Sequence, residues 1–305
     1  MNSNEILVLD GGQATELEAR GLELGDALWS ARILAEAPDE IAAVHRLYLE
    51  AGADCITTMS YQATLEGFEQ AGFDREKAKD LLRSSVKLAK RTRDEFWSSR
   101  PKMVCTKPLV AASIGPYGAF LANGAEYTGE YGISTTELVE FHTPRWQILA
   151  AQDPDVMLAE TLPCLKEAQV LAELAESTPG IPVWMSFSCR DAVHTSSGVP
   201  ICECAKALDG FSQVAAIGVN CIRPEFVTDL IKQIRSVTSK RIIVFPNSGE
   251  TYDADKKQWE GESEIENFGG LAGDWIASGA TIIGGCCRTT PDHIRAVRNV
   301  VSSQA

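Results

Sequence analysis

The sequence has no uninterrupted apolar stretch near the ~20 residues that a membrane helix requires, so no membrane span is expected. It also lacks a Lys/Arg run. Its 28 basic residues face 42 acidic ones, for a formal net charge of −14. Such a chain repels a phosphate backbone, and nucleic acid is not an expected partner. Met1 to Leu9 has neither the basic start nor the apolar core of a secretory signal, which makes the cytoplasm the expected location. No GxxxxGK[ST] loop occurs, and neither Gly11-Gly12 nor Gly284-Gly285 extends to GxGxxG, so nucleotide binding is unsupported. His45, His142, His194 and His293 show no HxxxH or HxxEH spacing and read as solvated or packing residues.

What is present is a globular balance, 45% hydrophobic and 23% charged, which excludes disordered and fibrous classes. Nine cysteines, an odd number scattered through 305 residues, do not make a disulfide framework. The question is whether some of them bind metal or react.

Eight short apolar or β-branched runs read as strands: Ile6–Leu9, Cys55–Thr58, Leu109–Ala112, Val156–Ala159, Pro182–Phe187, Val214–Val219, Arg241–Phe245 and Thr281–Ile283. Between them lie stretches of helical periodicity. Asp39–Ala51 puts Ile41, Val44, Leu47 and Tyr48 on one face, after Pro38 and before Gly52, and Pro224–Val237 repeats the pattern. Further helices are expected at Arg75–Trp97, Thr135–Ala151, Leu165–Glu176, Cys202–Leu208, Ile265–Ala277 and Asp292–Val301. Strands alternating with helices pair in parallel, and eight such units fit a single closed (β/α)8 barrel better than an open sheet. No linker divides the chain, so residues 1–305 are expected to form one domain. The long, Gly-rich connections Ser113–Gly132, Ser188–Pro200 and Pro246–Gly261 all follow strands. In a barrel they share the C-terminal face, where active sites are built.

Two of these strand ends carry thiols. Cys221 follows the sixth strand in Gly218-Val219-Asn220-Cys221, and Cys286-Cys287 follow the eighth after Gly284-Gly285. Three thiolates converging at one mouth could bind Zn2+ and leave the fourth tetrahedral position open, as catalytic sites do. Adjacent cysteines on a regular strand face opposite ways, so the pair can share a metal only if the backbone turns there. Spacing alone also allows three buried apolar thiols. Cys189 ends a strand and is the main competing ligand; Cys202 and Cys204 diverge on a helix, and Cys55, Cys105 and Cys164 read as core or loop thiols.

Asp10 ends the first strand and Glu160 the fourth, where a carboxylate can receive a substrate ammonium or cap the following helix. Tyr61, Tyr117, Tyr127, Tyr131 and Tyr252 fall in post-strand loops, and aromatic faces in an acidic mouth suit a cation, here expected at Tyr61, Tyr117 or Tyr131.

Several motifs together resemble the homocysteine S-methyltransferases, in the branch that uses S-methylmethionine or S-adenosylmethionine. They are Leu9-Asp10-Gly11-Gly12 with Ala14-Thr15-Glu16-Leu17-Glu18, Ser60-Tyr61-Gln62-Ala63-Thr64, Gly115-Pro116-Tyr117-Gly118, Glu160-Thr161-Leu162-Pro163, Gly218-Val219-Asn220-Cys221, Pro246-Asn247-Ser248-Gly249-Glu250 and Gly284-Gly285-Cys286-Cys287-Arg288. The resemblance implies a barrel in which Cys221, Cys286 and Cys287 hold a single Zn2+, and in which Asp10 and Glu160 contact L-homocysteine. Tyr61 and Asn220 are candidate substrate-binding residues. Gln13, where close relatives often have a small residue, is given no role, and Thr57-Thr58-Met59-Ser60 departs from the Asn-Thr-containing versions. The implied reaction moves a methyl group from a sulfonium donor to the homocysteine thiolate and forms methionine. Both partners are small molecules, and nothing indicates the oligomeric state.

Three other readings stand beside it. Betaine could be the donor; a folate donor would call for a cobalamin module that the length leaves no room for. A non-catalytic zinc or amino-acid binding protein is also possible. A barrel lyase or aldolase needs a strand-end Lys, for which Lys107 is the nearest candidate.

Overall fold

Residues 5–24, 30–99, 106–249, 251–253, 258–260 and 265–304 are described by the structure, a computed structural model. Cys105, Glu250 and the side chain of Tyr252 lie outside the described residues. The strands are β1 (Leu7–Val8), β2 (Cys55–Thr57), β3 (Leu109–Ile114), β4 (Val156–Leu162), β5 (Val183–Phe187), β6 (Val214–Asn220), β7 (Arg241–Phe245), β8 (Thr251–Asp253), β9 (Gln258–Glu260) and β10 (Ile282–Ile283). Eight of them form one parallel sheet in the order β1-β10-β7-β6-β5-β4-β3-β2. A parallel bridge between Leu9 and Cys55 joins β1 to β2 and closes the sheet into a barrel. The expected (β/α)8 architecture is therefore what forms, and all eight expected strands take part. The β8–β9 pair is a separate antiparallel hairpin in the connection after β7.

Strand alternation determines what fills the barrel. Its lower interior is apolar: Leu7, Leu9, Cys55, Ala111, Val156, Leu158, Trp184, Ala216, Ile243, Phe245 and Ile282 pack as one buried cluster. The residues between them, such as Val8, Met157, Val183 and Met185, face the surrounding helices in a second cluster. Continuing the inward alternation by two residues reaches Thr57, Ser113, Glu160 and Ser186, and by four on β6, past Gly218, Asn220. The interior therefore changes from apolar to polar as it approaches the C-terminal face. That polar layer is the floor of the site.

Helices cover the outside, and several are tied to the mouth. The helix Pro38–Ala51 begins with Pro in its first turn and ends at Gly52 in the left-handed region (φ 104°), the start and stop signals expected of it. Its buried face carries Tyr48, whose hydroxyl reaches the carbonyls of Gly12 (3.0 Å) and Thr289 (3.1 Å) and so links the loops after β1 and β10. Helix Thr135–Ala150 starts in a Ser134/Glu137 capping box. Among the described residues, four short α-helices, Gln13–Ala19, Ser30–Glu36, Leu65–Gln70 and Tyr117–Leu121, and the 3-10 turn Ala125–Tyr127 were not expected from the sequence. Among the described residues, no helix is long and apolar enough to cross a membrane.

Candidate active site

Alternation alone would send Cys221 outward, because Asn220 before it points in. Cys221 instead adopts the left-handed region (φ 51°), and its N–H donates to the Phe245 carbonyl at 3.2 Å. Across the mouth, Thr161 does the same (φ 58°) where the β4–β5 register shifts. Such conformations cost roughly 1–2 kcal/mol per non-glycine residue and persist only where surrounding contacts impose them. Asn220 supplies those contacts. Its Oδ1 accepts from the Thr161 N–H and the Ser186 hydroxyl, both at 2.7 Å, and its Nδ2 donates to Thr161 Oγ1 at 2.8 Å.

The condition set for Cys286 and Cys287 is met. β10 ends at Ile283, the two cysteines enter a turn, and Arg288 takes the left-handed conformation (φ 65°). The preceding glycines provide clearance rather than an unusual φ. A side chain on Gly285 would strike Thr289, and one on Gly12 would come 2.7 Å from the Cys286 carbonyl oxygen. The turn is fixed by Cys286 N–H donating to the Pro246 carbonyl (2.8 Å) and Ser248 N–H to the Cys287 carbonyl (3.1 Å).

These two routes bring the sulfurs of Cys221, Cys286 and Cys287 within 4.8 Å of one another, with Cys221 and Cys287 3.6 Å apart. That spacing is too long for a disulfide, whose S–S bond is about 2.0 Å. It matches the separation of about 3.8 Å that two thiolates have on tetrahedral zinc with Zn–S bonds of ~2.3 Å. No fourth His, Cys, Asp or Glu joins the trio among the described residues. The donor set therefore fits a soft divalent ion with one position left open. Cys189, the expected competitor, lies elsewhere, in a bridge with Thr195, and Cys55, Cys164 and Cys204 are buried free thiols.

Hydrogen bonds from the Cys286 and Cys287 thiols, assisted by the Tyr127 hydroxyl, hold the Cys221 thiol well below its ordinary value. Tyr127 Oη lies 3.1 Å from Cys221 Sγ although the residue as a whole is 47% exposed.

Asp10 is 2% exposed. Its Oδ2 accepts from Thr57 N–H (2.7 Å), Gln13 Nε2 (3.1 Å) and Thr57 Oγ1 (3.1 Å). Burial outweighs those bonds and pushes its carboxyl up to about 7. Glu160 accepts the Ser113 hydroxyl at 2.5 Å; burial, with added repulsion from Asp10 and Cys221, pushes it to about 8. No lysine or arginine is among the described hydrogen-bond partners of either carboxyl. Two buried acids beside the sulfur cluster, with no lysine or arginine among their described partners, make a place for a cationic group.

Tyr61 also reaches this mouth, hydrogen-bonded through its hydroxyl to Thr161 and close to the charges of Glu126, Cys221 and Glu160. Tyr117 and Tyr131 do not line it. Tyr117 packs against Phe120, Tyr131 and Phe141, and the Tyr131 hydroxyl donates to the buried Glu167 at 2.9 Å. Asn220 is fully buried, with its amide bonded to Thr161 and Ser186 and its Nδ2 4.0 Å from Cys286 Sγ, which places it against the sulfur cluster. Lys107 precedes β3 and pairs with Asp94 at 2.7 Å, at the opposite end of the barrel from the carboxylates and thiols, which removes the aldolase reading. Reading the sequence missed Tyr127, Thr161, Ser113, Thr57 and Gln13. Inward alternation from Ala111 and Cys55 points to Ser113 and Thr57, whereas no sequence signal singles out Tyr127.

A closed parallel barrel with strained, thiol-bearing loops at its C-terminal face has the architecture of the barrel enzymes, which build their active sites at that rim. The family model for homocysteine S-methyltransferase matches residues 7–301. The chain belongs to the homocysteine S-methyltransferase family and is a methyltransferase. It is 47% identical to homocysteine S-methyltransferase YbgG of Bacillus subtilis, over 97% of this chain and 95% of that one. It is 44% identical to the selenocysteine Se-methyltransferase of Brassica oleracea, covering 97% and 89%. Among solved structures, the metallated form of the homocysteine methyltransferase MmuM from Escherichia coli superposes with a TM-score of 0.87 at 41% identity, over 97% and 96% of the two chains.

Proposed function

We propose that this protein is a cytoplasmic, zinc-dependent enzyme that transfers a methyl group from a sulfonium donor, S-methylmethionine or S-adenosylmethionine, to the thiolate of L-homocysteine and forms methionine. The observation that carries the reading is the three-sulfur cluster of Cys221, Cys286 and Cys287 with its open fourth position. Zinc bound there would lower the pKa of an incoming thiol and keep the sulfur nucleophilic near neutral pH. The thiol proton leaves to solvent; the sulfur lone pair forms the new S–CH3 bond as the donor C–S bond breaks, and that bond's electrons neutralise the donor's positive sulfur.

The protein's own residues do the rest. Asp10 and Glu160 take the homocysteine ammonium, which fixes the direction of its side chain. Asn220 holds Thr161 and the β6 end in their left-handed turns, so the sulfurs stay convergent. The negative mouth attracts a cationic donor, but that attraction fades as the donor loses its charge. Alignment of nucleophile, methyl carbon and leaving sulfur therefore supplies most of the rate.

Zinc analysis paired with a donor panel tests this. Zinc is expected at about one per chain, with turnover of S-methylmethionine or S-adenosylmethionine but not betaine. Cys221→Ala, Cys286→Ala or Cys287→Ala should each abolish turnover while the barrel remains folded. Full homocysteine methylation by metal-free protein would end the reading, and turnover with betaine alone would reassign the donor.

A further inference from the structure

Gln13 sits at the start of the helix that follows β1, three residues after Asp10, and is 91% buried (9% exposed). Its amide orientation is not arbitrary. Nε2 donates to the Thr57 carbonyl at 2.6 Å, an atom that can only accept, so the nitrogen must lie on that side. The same nitrogen reaches Asp10 Oδ2 at 3.1 Å and Thr57 Oγ1 at 2.5 Å. The other end of the amide, Oε1, is buried and has no hydrogen-bond partner among the described residues. Amide geometry places that oxygen within roughly 5.5 Å of the Asp10 carboxyl. A buried acceptor left unmatched is destabilising unless a donor arrives. Here the neighbouring group that gathers cations is Asp10 itself.

An α-ammonium group has three N–H donors and no acceptor, and buried in a protein it requires three oxygens. Asp10 at the end of β1 and Glu160 on β4 offer two, and the arc between them runs through Thr57 and Ser113 on the adjacent strands β2 and β3. Both of those hydroxyls are already engaged with the carboxyls. Among the described residues, Gln13 Oε1 is the unmatched buried side-chain acceptor beside Asp10.

We propose that Gln13 is a substrate-binding residue whose side-chain carbonyl oxygen accepts the third N–H of the substrate's α-ammonium, completing the set begun by Asp10 and Glu160. The proposal rests on an amino-acid thiol being the acceptor, as argued above. It makes Gln13 a specificity determinant for thiols that carry an α-amino group. Its Nε2 contacts serve a different purpose, holding the Asp10 carboxyl against Thr57.

The test compares kcat/KM for L-homocysteine with that for its desamino analogue, 4-mercaptobutanoate, in the metal-loaded full chain. Gln13→Met keeps the side-chain length and removes both amide groups. A hydrogen bond to a charged group corresponds to about tenfold to hundredfold, so the homocysteine preference should fall by that factor, through KM more than kcat, with zinc content unchanged. Gln13→Glu, whose protonated carboxyl retains a donor for Thr57 and a free oxygen, should keep the preference even if the Met variant folds poorly. A double-mutant cycle separates contact from support. In an Asp10→Asn background, Gln13→Met should still reduce the preference several-fold. No further reduction there means that Gln13 acts only through Asp10 and overturns the proposal, as does an undiminished preference in Gln13→Met. Wild-type protein that methylates neither thiol overturns the underlying acceptor reading and this proposal together, whereas an intact wild-type preference unaffected by the substitution overturns the proposal alone.

Discussion

Replacing Asp10 by Asn should make this enzyme more stable while it weakens homocysteine binding. In the folded protein, burial raises the Asp10 carboxyl from 3.8 to about 7, against three hydrogen bonds that favour the charge. The unfolded chain ionises it near 3.8, so between pH 4 and 7 the folded state holds a proton that the unfolded state has released. The stability tied to this group is complete below pH 3.8 and is lost as pH rises to about 7. At about 1.4 kcal/mol per pH unit, the loss reaches at most about 4 kcal/mol. Asn is isosteric and fits the contacts. Its oxygen can replace Oδ2 as acceptor for Thr57 N–H and Gln13 Nε2, and its nitrogen can donate to Thr57 Oγ1, which lies 3.2 Å from Oδ1. Urea melts of wild type and Asp10→Asn at pH 5, 7 and 8 measure the effect. The quantity to compare is the difference between the two proteins, because metal occupancy of the thiols also varies with pH and cancels in it. The variant should gain on wild type from pH 5 to pH 7, end several kcal/mol ahead, and show a raised KM for homocysteine. A difference that stays constant between pH 5 and 7 refutes the claim that Asp10 is a buried, destabilised acid.

Other expectations follow from the same geometry. Glu160 must lose its proton to bind an ammonium, so homocysteine kcat/KM should rise with pH through about 8, and Glu160→Gln should flatten that limb in a pH–rate profile. Asn220→Ala strands the Thr161 N–H and frees two left-handed residues, a loss of about 1–3 kcal/mol per unmatched group, visible as a lower melting temperature and weaker zinc retention against a chelator. In Gly12→Ala, the new methyl would press on the Cys286 carbonyl oxygen at 2.7 Å, so zinc affinity should fall while far-UV circular dichroism stays that of the barrel.

Much of this was readable from the chain because its signals are local. Each strand is a short β-branched or apolar run, and Arg241–Phe245 has the same limits in sequence and structure. Long amphipathic helices such as Arg75–Ser99 show their period over many turns. Leu65–Gln70 and Tyr117–Leu121 span too few turns to show one, and the Thr251–Asp253 strand belongs to a hairpin set by partner pairing rather than by its own composition. The site divides in the same way. Cys221 and Cys286-Cys287 were legible because they follow strands that must end at one rim. The left-handed turns that aim the sulfurs, and the approach of Tyr127 to Cys221, depend on contacts between residues far apart in the chain. Asn220 shows the limit most clearly. Its place in a thiol motif suggested a substrate contact, yet its amide is spent on Thr161 and Ser186. Only the fold shows which side of a strand end remains open to a ligand.

Three sulfurs from two distant loops are proposed to hold one metal with a vacancy for the substrate thiol. X-ray absorption at the zinc edge measures it directly. Three sulfur ligands at about 2.3 Å are expected in the free enzyme and a fourth when homocysteine is added, with the three-sulfur signal lost in Cys221→Ala. A wild-type spectrum with fewer than three sulfurs, or one that homocysteine leaves unchanged, contradicts it.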